Sequence, residues 1–161
     1  MRGFGQRRTR LSMRSAAAIG AGVLLLTALI APTTMAAAPN SGSATVDGAT
    51  GDWSLGADFF ADMADAGRDD VPVRAKLYLK YDCETETLFA LVLSEGDEKV
   101  RQDRPDEAYI AIDGEKVIEE GESFAWVNGD GTLADGFEGS AELEPGSYTL
   151  RAHVLVADDS A

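Results

Sequence analysis

The sequence predicts an all-β protein, an antiparallel β-sandwich with one short helix, and three observations predict it. In residues 74–95, RAKLYLKYDCETETLFALVLSE, Leu77 and Leu79 alternate with Lys76, Tyr78 and Lys80. A polar break at Tyr81-Asp82 then leads into the apolar run Leu88 to Leu93, which is the pattern of two strands paired around a turn. Turn residues recur at close intervals, as in Asp113-Gly114, Asn128-Gly129, Asp130-Gly131 and Pro145-Gly146. The chain shows neither internal repeats nor alternating βα units.

Residues 1–36 read as a secretory signal peptide. Five arginines and no acid precede an uncharged run from Ala16 to Ala31, and small residues follow it, with Thr34 and Ala36 framing a cleavage point after Ala36. The run is shorter than the roughly 20 residues that span a bilayer, so cleavage is expected rather than a retained anchor. Arg7-Arg8 suggests twin-arginine export, but Arg10 occupies a place where such signals want an apolar residue, and general secretion is the expectation. Of the 14 basic residues in the chain, nine remain beyond the leader, against 28 acidic ones, a formal net charge of −19. That balance excludes a nucleic-acid phosphate backbone and anionic lipid headgroups as partners. A single cysteine, Cys83, cannot staple the domain to itself.

Taken in order, residues 37–44 form a flexible lead-in, and 45–161 a single domain. Val46 to Trp53, VDGATGDW, predicts a short edge strand ending in turns that bring Trp53 onto the core. Ala57 to Ala66, ADFFADMADA, is the predicted helix, since Phe59, Met63 and Ala66 share one face and Gly67 stands at a capping position. On a neighbouring helical face Asp58, Asp62 and Asp65 line up and repel. A calcium ion would relieve that repulsion, making these three the candidate metal ligands, while a solvated face would tolerate it; calcium also wants carbonyl ligands from irregular loops. After the central hairpin and its Cys83-bearing loop come a charged loop over 96–107, a strand at Ala108 to Asp113, and the Asp113-Gly114 turn into Lys116 to Ile118. Phe124 to Val127, Gly136 to Leu143 and Tyr148 to Val156 complete the set. In the last of these, His153 alternates away from the Leu150 face. Asn128, Asp130 and Thr132 have the spacing of the first ligands of a calcium loop, but Gly139 replaces its closing Glu, so the loop reads as turns.

Four blocks, VDGATGDW, VRAKLYLKYDCETETLFALVLSEGD, DEAYIAIDG and ADGFEGSAEL, resemble in that order the blocks of family 9 carbohydrate-binding modules and related DOMON-type domains. The resemblance covers most of residues 45–157 and implies a jelly-roll-like sandwich that binds sugar or, in some relatives, haem. Sugar-binding members hold the ligand between two exposed Trp rings. Here Trp53 matches the structural position at the domain start, Phe137 stands where relatives carry a Trp, and Trp126 is left alone. Haem-binding members use Met and His; Met63 and His153 are the only ones beyond the leader, and neither matches those ligand positions.

The sequence therefore points to a secreted, non-catalytic binding module for an extracellular glycan, with Trp126, Tyr109 and Phe124 as the aromatic candidates. The alternative is a structural or adhesive protein that meets a cell-surface partner with no sugar. No nucleophile elbow, metal-ligating His pair or phosphate loop is present, so no enzyme is expected.

Overall fold

A computed structural model describes residues 37–64 and 72–157. The fold is almost entirely β. Eleven strands run in order: β1 (Asn40–Ser41), β2 (Phe59–Ala64), β3 (Val73–Asp82), β4 (Thr87–Ser94), β5 (Val100–Arg101), β6 (Tyr109–Ile112), β7 (Glu115–Ile118), β8 (Phe124–Val127), β9 (Leu133–Ala134), β10 (Gly136–Glu142) and β11 (Leu150–His153). Among the described residues the helical structure is one 3-10 turn, Pro105–Glu107.

The predicted hairpin is the centre of the larger sheet. β3 and β4 pair antiparallel from Ala75↔Ser94 to Asp82↔Thr87. β10 pairs with the far side of β4, and β8 with β10. On the other side of β3, β2 runs antiparallel beside its first half and β1 parallel beside its last residues. A second sheet has the order β11-β6-β7, and β5 and β9 form a two-stranded ribbon. The Asp113-Gly114 turn forms as its sequence demands: both residues have positive φ, 51° and 92°, the combination that matches the twist of the strands it joins.

Alternation along the strands sorts the residues. Leu77 and Leu79 of β3, Ala90 and Val92 of β4 and Phe137 of β10 meet Ile110, Ile112 and Ile118 of the three-stranded sheet in one buried cluster. The approach is close enough that a Cβ on Gly139 of β10 would collide with Ile118 Cγ2. Lys76, Tyr78 and Lys80, the intervening residues of β3, face the opposite way, as do Leu91 on β4 and Glu138 on β10. On that outer side Tyr78 and Leu91 pack with Trp53 and Val127 in a smaller cluster.

Two expectations are corrected. The helix over Ala57 to Ala66 is instead strand β2, as far as Ala64. Ten residues make a marginal helix in water, and this segment gains more by pairing along β3. Two register shifts, between Phe59 and Ala61 and between Met63 and Ala64, break its alternation and give it a helix-like apolar spacing. Val46 to Trp53 is not a strand: the N–H groups of Asp47 and Gly48 bond a side chain, the Glu138 carboxylate, rather than a neighbouring ladder. Within residues 37–44, Asn40 and Ser41 pair with Lys80 and Tyr81.

Candidate functional site

The three aromatic candidates fall on two different sheets. Phe124 and Trp126 are alternate residues of β8, so they share a face, and that face is the inner one. Phe124 stacks on Phe137 with centroids 5.2 Å apart, and Trp126 meets Phe124 edge-on at 5.0 Å. Phe137 itself is fully buried. Tyr109 belongs to β6. The His153 ring of β11 stacks on it at 5.1 Å, and Lys116 Nζ of β7 stands 4.3 Å from its centroid. The strands on either side of Tyr109 thus already supply partners for its ring, and the three candidates form no common platform.

The acidic candidates separate as well. Asp58 is buried and accepts from Asn40 Nδ2 at 2.7 Å and Ser54 N–H at 2.8 Å, with Lys80 Nζ 3.5 Å away. Asp62 lies on β2 opposite Lys76. Asp65 lies outside the described residues. The shared face required a helix, and Asp62 lies in a strand instead. Among the described residues no group of three or more His, Cys, Asp or Glu side chains is arranged to hold a metal ion. In the Asn128–Thr132 loop, Asp130 accepts from the N–H groups of Thr132 and Leu133, and these bonds hold its carboxyl below the usual aspartate value. Asn128 donates to Asp135, which Lys99 also contacts, and both partners lower that carboxyl too. These are loop-closing contacts.

Sequence reasoning missed how much polar chemistry the outer face buries. Residues 42–58, following β1, cross the outer side of the large sheet as a strap, and a carboxylate of β10, Glu138, fastens its middle. Glu138 has no exposed surface. Its Oε1 accepts from Asp47 N–H at 2.8 Å and Gly48 N–H at 2.6 Å, and its Oε2 from the Trp53 indole at 3.0 Å. Asp58, at the strap's end, accepts from Asn40 of β1 and from Ser54 within the strap, and lies beside Lys80 of β3. Lys80 adds contacts to the carbonyls of Asp52 and Ser43 and lies 5.3 Å from the Trp53 ring centroid. Gly48 is required at its place: its φ is +80°, and a Cβ would stand 2.6 Å from the Trp126 carbonyl oxygen. The available signal was Glu138, a lone acid amid the small and apolar residues of GFEGSA, where a buried carboxylate needs donors from elsewhere.

No family model, curated protein or solved structure matches this chain. The site therefore stands on its own geometry.

A cleft of about 440 Å³ lies beside β11, the end strand of the smaller sheet, and β2–β3 of the larger. Met63, Ala75, Ala152 and Val154, which contribute to or pack against the inner cluster, form its apolar part, and Arg74 and Arg151 lie along it. His153 lines it too, with Nε2 2.9 Å from Glu107 Oε2, while Arg74 Nε donates to Glu98 at 2.7 Å. Met63 and His153, the only Met and His after residue 36, thus line the same cleft, and the His ring is held by Glu107 and Tyr109.

Proposed function

We propose that the protein is a secreted, non-catalytic binding module with a jelly-roll-like β-sandwich, and that its ligand is an extracellular carbohydrate. The observation that carries this reading is the cleft beside β11. Its volume lies within the roughly 300–1,000 Å³ of small-ligand sites, and it joins apolar surface to polar groups able to fix an orientation. The buried cluster that joins residues of both sheets supports the sandwich architecture. Trp126 and Phe124 act as packing rings that shape the inner face, and contact with the sugar falls to Arg151 and the cleft walls. A screen of immobilised polysaccharides tests this. Binding to at least one glycan, weakened about tenfold or more in Arg151→Ala, is expected; Arg151 is exposed, so the fold should survive its loss. Binding to none would overturn the reading.

A second reading, an adhesive cell-surface protein with no sugar ligand, draws on Leu55 and Phe59, both 44 % exposed and large. In that case polysaccharide binding is nil, and Leu55→Ser with Phe59→Ser releases the protein from cells that otherwise retain it.

A further inference from the structure

Nine basic residues follow residue 36, and all except Arg68 lie among the described ones. Seven of those eight have a carboxylate oxygen within 4.0 Å. With 28 acids in the chain, such pairing is the ordinary fate of a cation, and Arg151 is the exception: among the described residues no carboxylate pairs with it. Its surroundings explain why. Neither β11, on which it sits, nor the adjoining β6 carries an acid, and the residue opposite it is Ala111.

The cleft beside β11 continues that pattern. Its described lining includes two arginines and the single histidine of the chain, but no Asp or Glu. Arg74 and His153 turn to acids outside the lining, Glu98 and Glu107, which leaves Arg151 as the cation there without a carboxylate of its own. A guanidinium presents its donors as a planar fork that fits two oxygens of one oxyanion.

We propose, resting on the reading of this cleft as a glycan site, that it selects a sparsely acidic glycan, with Arg151 holding the carboxylate of a uronic acid or the oxygens of a sulfate ester. The charge beyond residue 36, formally −19, repels a dense polyanion, whereas screening confines the pull of one arginine to roughly 8 Å at physiological salt. Isolated acidic units on a neutral backbone suit both conditions.

Surface plasmon resonance with the full chain tests this on two pairs of immobilised polysaccharides, glucuronoxylan against its carboxyl-reduced form and lightly sulfated dextran against dextran. In at least one pair the charged member should bind about fivefold or more tightly, and the pair that responds names the oxyanion. Arg151→Gln should abolish that preference. Lys99→Gln, which removes the same charge from an exposed residue outside the cleft, should keep it. Equal binding within both pairs would overturn the proposal and leave the glycan reading standing. A preference that survives Arg151→Gln, or that disappears equally in Lys99→Gln, would also overturn it. Binding to no polysaccharide would remove the glycan reading and this proposal together.

Discussion

The two faces of the six-stranded sheet are held by different physics. On the inner face the closure is apolar: Phe137, Leu79 and Val92 are almost wholly shielded and meet isoleucines of the smaller sheet. On the outer face a small apolar cluster is completed by polar bonds, three donors on Glu138 and three partners at Asp58. Burial is non-directional and grows with area, so the inner face should tolerate side chains of similar volume. Bonds to a buried charge depend on atom type and direction, so the outer face should not.

Deletion of each anchor is the strongest way to break this contrast. Phe137→Ala and Glu138→Ala, neighbours on β10 that face opposite ways, should each cost about 3–5 kcal/mol in chemical denaturation, the first by leaving a cavity and the second by orphaning three donors. Shape-preserving changes then sharpen it. Leu91→Met should cost under about 1.5 kcal/mol, whereas Glu138→Gln should cost about 1–3 kcal/mol, since one end of the amide presents donors where only acceptors fit. Equal costs would erase the distinction between the faces. Gly48→Ala tests the strap's backbone alone and should cost about 1–3 kcal/mol from a strained φ and the Trp126 carbonyl, seen in the melting temperature with little change in sheet content by circular dichroism.

What the sequence could reveal follows the same division. The β3–β4 hairpin and the Asp113-Gly114 turn were legible because period-2 alternation and local turn chemistry lie within a few residues of each other. β2 was not: its register shifts displaced Phe59, Phe60 and Met63 from strand alternation into a spacing that a helix also satisfies. The strap was hidden for another reason. Asp47 and Glu138 are 91 positions apart, and irregular backbone bound to a side chain leaves no periodic trace. The facing of two aromatic candidates follows from parity. Phe124 and Trp126 alternate with Val127, and since Val127 belongs to the outer cluster the two rings had to face inward.

The short strand β1 has a consequence for aggregation. Leu88 to Leu93 is six consecutive residues of high β-propensity without charge or proline, the composition that stacks into fibrils when a strand edge is open. β4 is enclosed by β3 and β10, so its own edges are satisfied. β2 covers only the first part of β3, and the two residues Asn40 and Ser41, running parallel, close the stretch at Lys80 and Tyr81 that it leaves bare. A strand too short to add much stability thus serves as an edge guard, shielding the central hairpin from a second copy.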